Sequence, residues 1–244
     1  MTTSTVHLEL VERTAVVTLD APPLNIFDLE MRDGLIEALT AVRDIDTTDT
    51  IDTMVLTSAG KHFSAGADLS EFGSAESIHE ARRIRWDRDP WGTLWDLPMP
   101  TIAAISGVAV GSGMEMAMLC DLRIGAPTTN LGLPETKLGM LPAAGGTQSL
   151  TKTIGPHAAV PLVALADTMT ADEAFRRRVL TMVADDPQAQ ALDLAARFGA
   201  MDREAVRATK QALRAAVDQP LIEGLATERR LAERMAAIRR RAPR

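Results

Sequence analysis

Two apolar runs constrain this fold most, because each feeds a turn built almost entirely of small residues. "TMVLTSAG" (53–60) is followed by "FSAGADL" (63–69), and "TIAAISGVAV" (101–110) runs into "VGSGMEM" (110–116). Short apolar runs bounded by glycine read as buried strands, and the segment after the second turn, through "AMLCD", reads as a helix. Upstream, "TVHLEL" and "TAVVTLD" flank Glu12 and Arg13 as two strands of a hairpin, and "APPLNIF" breaks the pattern. A helix then begins near Asp28, with Leu35, Ile36, Leu39 and Val42 on one face. "KHFSAGADLSEF" is loop-like, a charged helical stretch covers about 75–95 up to "LPMP", and "LRIGAP" forms a short third strand. Strands alternating with helices make this an α/β fold.

After about residue 156 the texture turns helical. Thr170 and Glu173 have the spacing of a capping box. "RVLTMVA" reads as a short strand, and 187–217 is Ala-rich and helical. In the last segment Leu221, Leu225, Leu231, Met235 and Ile238 form an approximate apolar stripe on a charged helix. The expected organisation is a core over 1–155 and a helical C-terminal region over 156–244, together one functional unit.

Composition removes several classes of function. A formal charge of −7 argues against a nucleic-acid binder. The single cysteine, Cys120, leaves no internal disulfide and fits a reducing cytoplasm. The N-terminus lacks a charged stretch followed by an apolar one, so no secretory signal is expected, and no apolar run is long enough for a membrane span. The four histidines, at positions 7, 62, 79 and 157, share no metal-like spacing, and no P-loop, G-x-S-x-G elbow or complete dinucleotide fingerprint is present. No metal site is expected. Trp86, Trp91 and Trp95 read as core or interface residues.

The two small-residue turns remain. A strand that ends at a helix N-terminus leaves unpaired N–H groups that favour negative charge. Two such turns side by side would form an oxyanion hole for a carbonyl that gains charge. Glu115 lies three residues after Ser112, inside an otherwise apolar stretch, where an ionised carboxylate is costly unless it has partners. A second acid, Glu135 in "GLPETKLGMLPAAGG", precedes another glycine-rich loop. Two carboxylates beside one oxyanion hole suit proton transfer at carbons next to a carbonyl.

With these motifs the chain resembles the crotonase family, the enoyl-CoA hydratase/isomerase superfamily. The resemblance runs from "TAVVTLDAPPLN" to "AAIRRRAP" and is most specific in "FSAGADL", "ISGVAVGSGMEMAMLCDLRI", "LGLPETKLGMLPAAGGTQSL" and "MTADEA". It implies a spiral of ββα turns with a helical C-terminal region that makes trimer contacts, in a homotrimer or homohexamer. It also implies that the oxyanion donors are the N–H groups of Ala65 and Ser112, and that the catalytic acids are Glu115 and Glu135. Leu24, Ile26, Ala67, Asp68, Leu69, Gly111 and Ala143 are the implied substrate contacts, and an acyl-CoA is the implied partner. Coenzyme A belongs to the substrate, so no separate cofactor is implied. The basic cluster Arg239 to Arg241 falls where the family has a basic motif near the CoA phosphates.

The chain departs from the family pattern in three places. Ser112 stands where the family usually has glycine, Ala143 replaces the first glycine of a P-G-x-G-G loop, and Arg178-Val179-Leu180 replaces a Gly-Leu-Val turn. The implied reaction is hydration of a 2,3-double bond, with both acids positioning the water. A Δ3-Δ2 enoyl-CoA isomerase, which needs one carboxylate, and a non-catalytic acyl-CoA-binding protein are the alternatives.

Overall fold

The computed structural model describes residues 5–46, 50–71, 77 and 89–241, with the side chains of Arg239 and Arg241 undescribed. Trp86, most of the helical stretch expected before residue 90, and the side chains at both ends of the C-terminal basic cluster therefore lie outside the described residues.

The chain opens as the expected hairpin, β1 (Val6–Val11) paired antiparallel with β2 (Thr14–Leu19). β1, at the sheet edge, buries Val6, half-buries Leu8 and exposes its last three residues, whereas Ala15, Val16, Val17 and Leu19 of β2 are all buried. Helix α1 (Leu29–Asp46) buries Met31, Leu35, Ala38, Leu39 and Val42, while Ile36 lies at the edge of that face. Strand β3 (Thr53–Ser58) then joins β2 in parallel, and the short helix α2 (Pro90–Trp95) is capped by Asp89.

The run "TIAAISGVAV" is two strands, not one. β4 (Thr101–Ile105) pairs with β3 in the large sheet, and β5 (Val108–Val110) belongs to a second sheet. The chain turns between them at Gly107, whose φ is 58° and where a Cβ would sit 2.3 Å from the Lys61 carbonyl oxygen. Only glycine makes that corner. Helix α3 (Ser112–Leu119) follows, then β6 (Leu122–Gly125) in the large sheet and β7 (Asn130–Gly132) in the small one. Successive turns of the chain thus place a strand in each sheet before a helix, which is the ββα spiral in outline.

Past residue 155 the chain still builds both sheets. After α4 (Gly146–Ile154) and α5 (Pro156–Ala164), β8 (Thr168–Thr170) completes the small sheet, β5-β7-β8. Helix α6 (Ala171–Arg176) is capped by Thr170, whose hydroxyl accepts from Glu173 N. β9 (Met182–Val183) completes the large sheet in the order β1-β2-β3-β4-β6-β9. Helix α7 (Pro187–Gly199) then covers one face of that sheet, where Ala191 and Ala195 pack on Val16, Val55, Ile102 and Ile124. The segments 1–155 and 156–244 are therefore interleaved in space.

The turn after α6 keeps a left-handed residue although it lacks glycine. Arg178 has φ 62°, a conformation that costs a non-glycine residue about 1–2 kcal/mol. It is held there by Val179 and Leu180, both fully buried, whose N–H groups donate to Ala174 O at 2.8 and 3.1 Å.

Two long helices end the chain, α8 (Arg203–Asp218) and α9 (Leu221–Arg241). α8 is fastened to the body by Lys210 and Arg214, which reach the two Asp121 oxygens at 2.7 and 2.9 Å. Asp121 also accepts from Thr101 N at 2.8 Å, so one carboxylate joins β4, the end of α3 and α8. On α9 Leu231 is buried, but Leu221, Leu225 and Ile238 are exposed in the single chain. Among the described residues no helix is long and apolar enough to cross a membrane.

Candidate active site

A cavity of about 900 Å³ opens where the two small-residue turns meet. All of Leu24, Ile26, Ala65, Ala67, Asp68, Leu69, Gly111, Ser112, Glu115, Glu135 and Ala143 line it. The residues singled out in the sequence thus share one cavity.

The first turn is stitched to the small sheet. Ser64 N donates to Val108 O at 3.0 Å, and Ser64 O accepts from Val110 N at 3.1 Å. That bond pattern brings residues 64–67 against the start of α3, and glycines make the approach possible. A Cβ on Gly113 would lie 2.7 Å from Ser64 Cβ, and one on Gly66 would lie 3.2 Å from Val110 O.

The structure reassigns one expected oxyanion donor. Ala65 N donates to Leu24 O at 2.9 Å, so its hydrogen is already committed to holding the 24–27 segment. The next residues bracket Phe27: Gly66 O accepts from Phe27 N at 2.9 Å, and Asp68 N donates to Phe27 O at 3.4 Å. In extended chain, N–H groups alternate sides, so the Ala67 N–H is turned away from Phe27. Among the described residues it makes no hydrogen bond, and Ala67 lines the cavity. The available donor is Ala67, two residues further on. Nothing in the sequence separates the two alanines; the bond to Leu24 does. Ser112 is the first residue of α3, and its N–H is one of those a helix N-terminus leaves unpaired.

Glu115 is 2% exposed. Its Oε1 accepts from Ala144 N at 2.8 Å and Gly146 N at 3.0 Å, so the carboxylate pins the loop before α4. Gly146 is required there, since a Cβ would lie 2.9 Å from that same oxygen. The replacement of glycine by Ala143 costs this loop nothing in backbone strain: Gly145, not Ala143, carries the positive φ of 104°.

Glu135 begins a 3-10 turn, Glu135–Leu138, after Pro134. Gly111, with φ 52°, admits its side chain beside the second turn, where a Cβ would be 3.2 Å from Glu135 Oε1. Among the described residues Glu135 Oε2 is buried without a hydrogen-bond partner. Burial, reinforced by the Glu115 charge and only partly opposed by its own backbone N–H, pushes the Glu135 carboxyl up to about 7. One cavity thus holds a carboxylate fixed by two N–H donors and a second that exchanges a proton near neutrality.

Several wall residues escaped the sequence reading. Trp91 and Trp95 line the cavity rather than serving only the core, and Arg32 and Asp28 approach it from the start of α1. The signal for Arg32 was present: a charged residue on the buried stripe between Met31 and Leu35.

The chain is similar to known proteins over nearly its whole length. Residues 10–241 match the family described as enoyl-CoA hydratase/isomerase. A Mycobacterium tuberculosis protein named "Probable enoyl-CoA hydratase echA8" is 37% identical over 257 residues, covering 100% of this chain and 98% of its own. The crystal structure of an enoyl-CoA hydratase subunit from Geobacillus kaustophilus superposes with a TM-score of 0.87 at 31% identity, covering 98% of this chain and 97% of its own. A Thermobifida fusca structure in complex with CoA gives 0.89 at 27% identity, covering 98% and 95%.

Proposed function

This chain belongs to the enoyl-CoA hydratase/isomerase family, and on that premise we propose that it adds water across the 2,3-double bond of an acyl-CoA thioester. The observation that carries the proposal is the pairing of Glu115 and Glu135 in one cavity, in different hydrogen-bonding states, beside two unpaired N–H groups.

The thioester oxygen sits between Ala67 N–H and Ser112 N–H, and a water sits between the acids. Glu115 takes a proton from that water as its oxygen bonds to Cβ. The electron pair of the double bond moves toward the thioester, whose oxygen gains enolate charge and is held by the two donors. Protonated Glu135 delivers a proton to Cα, and the proton taken from water returns the pair of acids to its starting state. The buried setting strengthens each of these interactions, because no solvent has to reorganise. An isomerase would require only one of the acids, and both line the cavity.

The reaction uses no metal or nicotinamide, and coenzyme A enters as part of the substrate. The lone Cys120, fully buried, suits a reducing cytoplasm. The exposed Leu213, Val217, Leu221 and Ile222 on α8 and α9 support assembly into a homotrimer or homohexamer. Light scattering at micromolar concentration is expected to give three or six chain masses, and a single chain mass would refute the assembly.

The direct test is loss of the enoyl-thioester absorbance with 2-enoyl-CoA substrates. Its pH dependence has a definite sign. Glu135 acts as the acid, so activity is full where it is protonated and falls as pH rises through about 7. The kcat/KM profile should show that alkaline limb, and Glu135→Gln should abolish the limb along with most of the rate. A profile flat from pH 6 to 9 contradicts the assignment of Glu135 as the acid.

A further inference from the structure

The oxyanion turn is held on two sides. Ser64 ties one side to β5, and the 24–27 segment ties the other through Leu24 and Phe27. The 24–27 segment is held in turn by Asn25. Leu24 and Ile26 line the cavity, while Asn25 between them is fully buried. Its Oδ1 accepts from Ala21 N at 2.8 Å, and its Nδ2 donates to Ala59 O at 3.0 Å and to His62 O at 2.7 Å. The side-chain amide thus spends both of its hydrogens and its oxygen. The bond to Ala21, together with Asn25 N donating to Ala21 O at 3.0 Å, would suffice to close the local turn. The two donors instead reach 34 and 37 residues along the chain, to the loop that leads from β3 into the oxyanion turn.

Asn25 also has φ 47°, a left-handed conformation that asparagine tolerates better than most residues and that persists only where the surroundings enforce it. On either side of it, Leu24 O meets Ala65 N at 2.9 Å and Phe27 N meets Gly66 O at 2.9 Å. A shift of this segment therefore carries residues 65–67 with it. We propose that Asn25 is a positioning residue of the oxyanion hole. It fixes the 24–27 segment against the 59–62 loop, and that segment aims Ala67 N–H at the thioester oxygen. Being fully buried, Asn25 itself does not touch the substrate. This deepens the hydration reading and rests on it for the part the oxyanion hole plays.

Two substitutions in the full chain remove the donors. Asn25→Gly adopts a positive φ without strain, and Asn25→Ser keeps a hydroxyl too short to span both carbonyls. Each is assayed for hydration of a 2-enoyl-CoA. Each is also loaded with a saturated acyl-CoA, isotope-labelled at the carbonyl carbon, for infrared spectroscopy. Hydrogen bonds from Ala67 and Ser112 lower the carbonyl stretch of the bound thioester, so the stretch reads the aim of the donors directly. Both variants are expected to lose about 10- to 100-fold in kcat, as a misplaced group does, with KM within about threefold of wild type. Their carbonyl stretch should move back toward that of the free thioester. A lower Tm with wild-type kcat and an unmoved stretch makes Asn25 a residue of the fold alone and overturns the inference; so does failure of both variants to fold. Amide exchange on the free wild type is a check that needs no variant. Ala65 and Phe27 N–H should be protected, and Ala67 N–H should exchange until a thioester binds; protection of Ala67 in the free chain overturns the inference. If the wild type hydrates no 2-enoyl thioester yet lowers the stretch of a bound one, and the variants lose that lowering, the hydration reading falls and the role of Asn25 stands. If the wild type leaves the stretch unmoved but hydrates, hydration stands and the inference falls.

Discussion

Glu115→Gln and Glu135→Gln are each expected to lower kcat for hydration by about 10²- to 10⁴-fold, the usual contribution of a general acid or base, with little change in substrate binding. The geometry makes both substitutions mild for the fold. A glutamine at position 115 can still accept from Ala144 N and Gly146 N, and one at 135 removes a carboxyl whose ionisation burial opposes. Because the two acids serve one water, the double variant should be scarcely worse than the poorer single one. An isomerase gives a different pattern on a 3-enoyl thioester: one variant nearly dead and the other close to wild type. If Glu115 served only to pin the loop before α4, its glutamine variant, which keeps both bonds, would turn over normally. Measuring kcat, KM and Tm on the three variants separates these outcomes, and wild-type hydration by Glu135→Gln would end the mechanism proposed here.

Ser112→Pro should lower kcat by about 10²- to 10³-fold, the typical loss of one oxyanion donor, while Tm changes by no more than a few degrees. Ser112 is the first residue of α3, where proline is well tolerated because that N–H has no partner within the helix. The preceding Gly111, at φ 52° and ψ −128°, lies outside the helical region that a following proline disfavours. The substitution therefore deletes one hydrogen and leaves the helix. Ser112→Ala, which keeps the N–H and loses the hydroxyl, should stay near wild type. Near-normal kcat in the proline variant would remove Ser112 from the oxyanion hole. A large loss in both variants would mean that the hydroxyl, not the backbone, does the work.

Much of this protein was legible from local pattern. The hairpin, the helix starting near Asp28 and the strand over 53–58 are set by side-chain periodicity and by breakers such as "APPLNIF", which act over a few residues. The two turns and the two acids were legible for the same reason: close backbone approach demands small residues, and a charge in an apolar helix demands partners. Hydrogen bonds between distant segments were not legible. The choice between Ala65 and Ala67 depends on which N–H is taken by Leu24, some forty residues away in the chain. The splitting of 101–110 into β4 and β5 depends on two sheets meeting at Gly107, and an apolar run looks the same whichever sheet receives it. The textural break near residue 156 was real in sequence, yet β8, β9 and α7 close both sheets with residues from beyond it. Trp91 reads in sequence as a core or interface residue, and only the packing of α1, α2 and α3 brings it to the cavity wall. Sequence sets what each segment can do with its own backbone and faces. Tertiary structure decides which donors remain unspent, because every buried N–H must find a partner and only the assembled fold shows which ones have.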